Sequence, residues 1–174
     1  MRRLFLVRHA KAEPAVGRDD YERALTGRGR ADARRMALAL AERKTLPDVL
    51  IHSGAERAKE TAEIFAAEWK HAVELREEPG LYDAGPDTLF ACARALPDSR
   101  VRVALVGHNP GLGELAVMLA GAGAHSEVRR LAAKFPTGAV AALDLRVRHW
   151  AEIAPNAGEL ALFLTPAELD AEAG

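Results

Sequence analysis

Short continuous runs of apolar residues alternate along the chain with longer stretches in which apolar residues recur every three or four positions. The continuous runs predict strands that are buried on both faces, because such strands need no polar alternation. The periodic stretches predict helices that bury one face against a sheet. We predict strands over residues 4–7, 48–52, 73–75 and 101–106, and helices over residues 26–44, 56–69, 87–96 and 114–120.

The last third of the chain carries a different pattern. Two strand-like segments, 139–145 and 148–154, are separated by only two residues, which predicts an antiparallel hairpin at an edge of the sheet. The whole order of elements predicts an α/β fold, a three-layer αβα sandwich with a mostly parallel central sheet and an antiparallel edge hairpin. We expect residues 1–174 to form a single domain, because no repeat or long linker divides them.

The composition excludes several classes of protein. The 174 residues contain 24 Lys plus Arg against 25 Asp plus Glu, and this balance excludes a generally basic nucleic-acid-binding protein. The single cysteine, Cys92, cannot form a disulfide within the chain, which excludes a disulfide-stapled module. No apolar run approaches the ~20 residues of a membrane helix, and the apolar start is too short for a secretory signal. We therefore expect a cytoplasmic protein without nucleic-acid or membrane partners.

Charged and ionisable residues follow three of the predicted strands. Arg8 and His9 come directly after the first strand, and Arg57 lies at the start of the helix after the second. His108 follows the strand over 101–106. Side chains at the carboxyl ends of strands in an open α/β sheet meet in the crevice where ligands bind. Cationic groups gathered there repel one another unless an anion is bound, and guanidinium groups match phosphate oxygens in pairs. The pattern therefore predicts a site for a phosphoryl group.

The sequence around these residues resembles the histidine phosphatase superfamily, the phosphoglycerate-mutase-like group. Residues 6–13 are similar to its opening motif, with Ala10 where glycine is usual. Residues 53–61 are similar to its second motif and residues 106–111 to its third. The similarity extends from the first strand to about Leu164. The compact size and three further segments resemble the SixA-type phosphohistidine phosphatases in particular; these segments are 22–26, 81–82 and 135–139.

The resemblance implies a role for each matching residue. His9 would be the nucleophile that accepts the phosphoryl group, and Arg8, Arg57 and His108 would hold its oxygens. Phosphoryl transfer depends chiefly on positioning and charge neutralisation, which suits these residue types. An imidazole attacks only when it is neutral, and we expect the neighbouring arginines to lower the pKa of His9. The resemblance implies no metal or other cofactor.

Two further residues each allow two interpretations. Arg23 lies where SixA-like proteins tend to carry an arginine, so it is either a fourth donor to the phosphate or a surface arginine. Asp83 lies near the position where larger members of the superfamily carry a glutamate that acts as general acid. It is either the proton donor or a carboxylate of a surface loop.

These residues predict a metal-independent phosphatase that works through a covalent phosphohistidine on His9. The expected substrate is a protein phosphohistidine, as in histidine-containing phosphotransfer domains, and the expected oligomeric state is a monomer. Two alternatives stay open: a phosphatase of small molecules such as sugar or nucleotide phosphates, and a non-catalytic phosphate-binding module. An open site would favour a protein substrate, whereas a closed cavity would favour a metabolite.

Overall fold

A mixed β-sheet forms the centre of the computed structural model, which describes residues 1–70, 72–122 and 125–172. The strands of these residues are, in chain order, β1 (Arg2–Arg8), β2 (Val49–His52), β3 (Glu74–Glu77), β4 (Arg102–Gly107), β5 (Ala120–Ala122), β6 (Val140–Leu145) and β7 (Gly158–Leu164). They pair in the order β3-β2-β4-β1-β6-β7-β5. Strands β1 to β4 run parallel, whereas β6 runs antiparallel to β1 and β7. The prediction of a mostly parallel sheet is confirmed.

Helices cover both faces of this sheet, which confirms the predicted three layers. Side chains alternate along β1, so that Leu4 and Leu6 enter one apolar core while Phe5 and Val7 enter the other. Helices α1 and α2 pack on the second core, and α3, α4 and α5 pack on the first. The helices are α1 (Gly27–Glu42), α2 (Glu56–Glu68), α3 (Pro86–Arg94), α4 (Gly111–Leu119), α5 (His125–Ala133) and α6 (Pro166–Glu172). Short 3₁₀ turns span Asp20–Glu22, Pro79–Leu81 and Trp150–Glu152.

None of the helices in the described ranges combines the length and the apolar character needed to cross a membrane.

The antiparallel pair lies later in the chain than the sequence predicted. The prediction of a strand over 148–154 is wrong, since this segment contains the 3₁₀ turn Trp150–Glu152. Trp150 and Ile153 are both buried, at a spacing of three that fits a turn and not the alternation of a strand. The Glu152 carboxylate accepts hydrogen bonds from the backbone N–H groups of Arg148 and His149. The strand that pairs with β6 is β7, and β6 lies inside the sheet with β5 at the edge beyond β7.

Three parallel strands end at the same level, and this places the candidate site. Arg8 at the end of β1 is the register partner of Gly107 at the end of β4. His52 at the end of β2 is the register partner of Val106. The residues that follow these strands therefore emerge together at one edge of the sheet.

The start of α1 is tied to the loop that follows β1. The Thr26 side chain accepts a hydrogen bond from the backbone N–H of Gly29 and so caps this helix. Gly29 lies so close to this loop that a Cβ at its position would lie 2.1 Å from the backbone oxygen of Lys11. The Thr26 N–H also donates to that oxygen. These contacts fix the loop that begins with the candidate nucleophile.

Candidate active site

A cavity of about 380 Å³ lies at the carboxyl ends of β1, β2 and β4. All six residues that the sequence singled out line it, which means that the fold brings together side chains up to a hundred positions apart. The lining residues are Arg8, His9, Lys11, Ala12, Asp20, Arg23, Arg57, Tyr82, Asp83, His108, Asn109 and Thr137.

His9 is held with one ring nitrogen free for reaction. Its Nδ1 lies 2.7 Å from the backbone oxygen of Ala10. A carbonyl oxygen only accepts, so the proton of the neutral ring is on Nδ1 and the lone pair is on Nε2. Burial lowers the pKa of His9 to about 3, with smaller contributions from the charges of His108, Arg57 and Arg8. The ring is therefore neutral at pH 7, and the cause is chiefly burial and not the arginines that the sequence suggested.

The backbone next to His9 is fixed by Thr61 of α2. The buried Thr61 hydroxyl accepts a hydrogen bond from the Ala10 N–H at 3.0 Å. The same hydroxyl donates to the backbone oxygen of Arg57 at 2.7 Å. One side chain therefore links the nucleophile loop of β1 to the helix that carries the arginine.

His108 faces His9, and a serine positions its ring. The two ring centroids are 5.2 Å apart. Ser53, which is fully buried, places its Oγ 2.7 Å from His108 Nε2. Burial, and after it the charge of Arg57, lowers the pKa of His108 to about 4, so this ring is also neutral at pH 7. In the tautomer in which Nε2 accepts the Ser53 hydroxyl proton, the ring carries its own proton on Nδ1, which is then a donor.

Three buried nitrogen atoms of the pocket residues have no hydrogen-bond partner within the described part of the chain. They are Arg8 Nε, Arg57 Nε and His108 Nδ1. An unsatisfied buried donor costs about 1–3 kcal/mol, so three in one cavity are unfavourable unless a ligand accepts from them. An anion with several oxygens, such as a phosphoryl group, meets this need.

The two predicted arginines reach the pocket from different elements. Arg8 ends β1 and donates from Nη1 to the backbone oxygen of Phe135 at 2.9 Å. Arg57 lies in the first turn of α2 and is buried. Both of its terminal nitrogens donate to Asp20, one to the backbone oxygen and one to the carboxylate at 2.9 Å.

Asp20 and Tyr82 belong to the site, although the sequence analysis did not select them. The Asp20 carboxylate accepts from Arg23 at 2.8 Å, from the Tyr82 hydroxyl at 2.7 Å and from Arg57. The hydrogen bonds from Arg23, Tyr82 and Arg57 hold the pKa of Asp20 far below its usual range. No sequence signal separates Asp20 from Asp19 and Glu22 in the same acidic stretch, whereas Tyr82 adjoins the predicted Asp83.

The two residues with open interpretations both lie at the rim. Arg23 lines the pocket and is engaged with Asp20 and with the backbone oxygen of Glu13. Asp83 is exposed, and its backbone has a φ of 51°, a left-handed conformation that aspartate tolerates better than most residues. Its carboxylate forms no hydrogen bond or ion pair with any residue that the structure describes. The phosphate contact of Arg23 and the proton-donor role of Asp83 stay predictions.

In the ranges that the structure describes, no group of three or more His, Cys, Asp or Glu side chains is arranged to hold a metal ion.

Comparisons with known proteins agree with this geometry. The sequence model of the histidine phosphatase superfamily (branch 1) matches residues 4–85. An uncharacterised protein of Mycobacterium tuberculosis is 30% identical over 162 residues, which cover 92% of this chain and 99% of that protein.

Two solved structures are similar over nearly their whole length. A candidate phosphohistidine phosphatase SixA from Agrobacterium tumefaciens is 29% identical, with a TM-score of 0.78 over 95% of this chain and 98% of the other. A second candidate SixA, from Nakamurella multipartitia, is 29% identical, with a TM-score of 0.81 over 95% and 96% of the two chains.

Proposed function

The chain belongs to the histidine phosphatase superfamily and is a phosphatase, and on that premise we propose that it hydrolyses protein phosphohistidine through a covalent intermediate on His9. The observation that carries the proposal is the state of His9. Its ring is neutral, its Nδ1 is bound to the Ala10 carbonyl and its Nε2 is free beside three unpaired donors.

In the first step the Nε2 lone pair of His9 attacks phosphorus. A P–N bond forms to His9 as the bond from phosphorus to the leaving nitrogen of the substrate breaks. That nitrogen keeps the electron pair, and the substrate ring, which carries its proton on the other nitrogen, leaves as neutral imidazole. Arg8, Arg57 and the Nδ1–H of His108 donate to the phosphoryl oxygens. Such donors act where negative charge is concentrated in the transition state, and they are already in place before the reaction.

In the second step water releases the phosphoryl group. Its oxygen bonds to phosphorus, the P–Nε2 bond breaks, and the electron pair returns to His9, while both protons of the water end on phosphate oxygens to give H2PO4−. The Ala10 carbonyl keeps its hydrogen bond to Nδ1, so the ring returns to the same tautomer for the next turnover.

The carboxylates of the pocket support phosphohistidine over an alkyl phosphate. An alkoxide leaving group needs a positioned acid, which contributes roughly 10²–10⁴-fold. Asp20 does not supply a proton at pH 7, because its hydrogen bonds to Arg23, Tyr82 and Arg57 keep it ionised. The other carboxylate of the pocket, Asp83, lies on the exposed rim. A phosphoimidazole whose ring is already protonated leaves as neutral imidazole and needs no such acid.

The surroundings of the pocket also support a protein substrate. A second cavity of about 640 Å³ adjoins the first and shares Arg8 and Asn109 with it. It lies between α4 and α5 and has an apolar lining that includes Val117, Met118 and Phe135. We define it as the α4–α5 groove. Apolar side chains next to a phosphorylated residue find a complementary surface there, whereas a sugar does not. The similar structures described as SixA agree with this substrate class.

The small-molecule alternative has one observation in its favour, the unpaired Asp83 carboxylate at the pocket rim. The test compares kcat/KM for a phosphorylated histidine phosphotransfer domain with kcat/KM for a panel of sugar phosphates. We expect the phosphorylated domain to be preferred, and acid-labile phosphate to appear on His9 during turnover. Preference for a sugar phosphate would contradict the proposed substrate, and an absent phosphoenzyme would contradict the proposed mechanism.

The groove is tested with the same substrate. Val117→Asp places a charge at an exposed position of the α4–α5 groove and should raise KM for the phosphorylated domain about tenfold, because a buried unpaired charge is costly. It should leave turnover of a small aryl phosphate unchanged. Leu38→Asp on α1, equally exposed outside the groove, is the matched control and should change neither.

A further inference from the structure

Asp20 interacts with more cationic groups than any other carboxylate of the pocket that the structure describes. Its carboxylate binds Arg23 and Arg57, and its backbone oxygen binds Arg57 again. Both terminal nitrogens of a phosphate-binding arginine are therefore directed at one acidic residue. Only Nε of Arg57 is left without a partner.

The two partners differ in how firmly they are held. The Arg57 side chain is 7% exposed and is enclosed by α2 and the strand ends. The Asp20 side chain is 46% exposed and belongs to a three-residue 3₁₀ turn. A change in their contact therefore requires movement of Asp20 and not of Arg57. Arg23 binds the other carboxylate oxygen, Oδ1, whereas the Tyr82 hydroxyl shares Oδ2 with Arg57.

We propose that Asp20 is an internal competitor of the phosphoryl group, whose carboxylate occupies Arg57 in the empty site, yields it to a bound phosphoryl group and regains it as inorganic phosphate leaves. The proposal rests on the phosphoryl-binding role of Arg57 and is independent of the substrate. In this way a site built from two arginines and two histidines avoids retaining its own product.

The charges that line the pocket predict how a change at Asp20 alters the affinity for phosphate. Four cationic side chains line the pocket (Arg8, Lys11, Arg23 and Arg57) against the carboxylates Asp20 and Asp83. Neutralising Asp20 removes a negative charge within hydrogen-bond distance of Arg57 and replaces a charged acceptor by a weaker, neutral one. Phosphate should then bind more tightly. If Asp20 served only to orient Arg57, the same change would loosen the arginine and weaken phosphate binding.

The experiment measures inorganic phosphate binding to the full chain by calorimetry and by competitive inhibition of aryl phosphate hydrolysis. We expect Asp20→Asn to bind phosphate at least about tenfold more tightly than the wild type, because one charge contact in a partly buried site is worth that much. Asp19→Asn is the matched control, with the same charge change at the preceding residue, which does not line the pocket. It should change the affinity less than twofold.

Unchanged or weaker phosphate binding by Asp20→Asn would overturn the proposal. Asp20→Ser, with the same expected direction, serves as the second variant, and melting curves verify that both fold. Different measurements test the two proposals. An absent phosphoenzyme on His9 would contradict the proposed function, whereas the direction of the change in phosphate affinity decides this inference. No phosphate binding by any variant would also overturn this inference, whereas the proposed function would still be decided by the phosphoenzyme.

Discussion

The floor and the rim of the pocket are built differently. The floor consists of His9, Arg57 and His108, all buried and all placed by the ends of strands or by the first turn of a helix that follows one. The rim consists of Asp20, Arg23 and Asp83, which are partly or fully exposed and lie in loops and a 3₁₀ turn. Burial lowers the pKa of the two floor histidines, whereas hydrogen bonds from Arg23, Tyr82 and Arg57 lower the pKa of Asp20 at the rim. This difference fits our proposals, in which the buried residues at the strand ends carry out the chemistry and the exposed loop residues control ligand binding.

The largest effect should come from the floor itself. We expect His9→Ala to lose at least about 10³-fold in kcat, or about 4 kcal/mol, on phosphohistidine and aryl phosphates alike, because no other residue forms the intermediate. His149→Ala removes an exposed histidine that binds Asp98 away from the pocket, and it should leave kcat unchanged. Retention of more than about a tenth of the wild-type kcat would contradict the nucleophile assignment.

Acid should destabilise the folded protein through the two histidines of the floor. The pKa values of His9 and His108 are about 3 and about 4, below the 6.5 of an unfolded chain. The unfolded state therefore binds more protons, and the free energy of unfolding falls as the pH drops below 6.5. We expect a loss of at least about 2 kcal/mol between pH 7 and pH 4.5.

Urea unfolding at both pH values measures this loss. His9→Asn should reduce it, because one buried group no longer titrates. An equal loss in the variant and the wild type would show that His9 does not contribute.

Ser53→Ala should have an intermediate effect. Without the hydroxyl, the His108 ring loses the partner that keeps its proton on Nδ1, and we expect kcat to fall about tenfold, within the range of one net hydrogen bond. Nitrogen chemical shifts of the His108 ring should show the altered tautomer. The control is Ser99→Ala at an exposed serine. Unchanged ring shifts would contradict the positioning role of Ser53.

The smallest effect is expected at the rim. Asp83→Asn should change kcat/KM for a phosphohistidine protein by only a few-fold, because a protonated imidazole leaves without an acid. The same variant is assayed on sugar phosphates. A loss above about 100-fold on a sugar phosphate that the wild type hydrolyses efficiently would identify Asp83 as the acid, and the small-molecule alternative would then be correct.

The sequence predicted the floor better than the rim, for a physical reason. Arg8, His9 and His108 follow continuous apolar runs, and strand ends are among the features that a local pattern locates well. The pairing of Ser53 with His108 joins residues 55 positions apart, and no local pattern contains it. Asp20 lies among other acidic residues in the sequence, and only the fold of the loop places it, and not its neighbours, at the pocket.

The same reasoning explains the misplaced hairpin. Val140–Leu145 was predicted well because it begins with four consecutive apolar residues. Its partner lies beyond a twelve-residue connection that contains a buried tryptophan, Trp150, and this apolar residue makes the connection itself resemble a strand. The short sequence separation favoured residues 148–154 as the partner of β6. In the folded protein Trp150 is buried in a turn, and the strand that pairs with β6 is β7.

The parallel register of β1 and β4 sets the distance between the two imidazoles of the pocket. His9 and His108 each follow a member of one register pair, Arg8 and Gly107, and their ring centroids are 5.2 Å apart. This value is close to the ~4.8 Å between neighbouring strands, which is a property of backbone hydrogen bonding. The loops around the pocket can therefore lengthen, shorten or change charge, and so alter which phosphorylated molecules enter, while the spacing of the two rings stays constant.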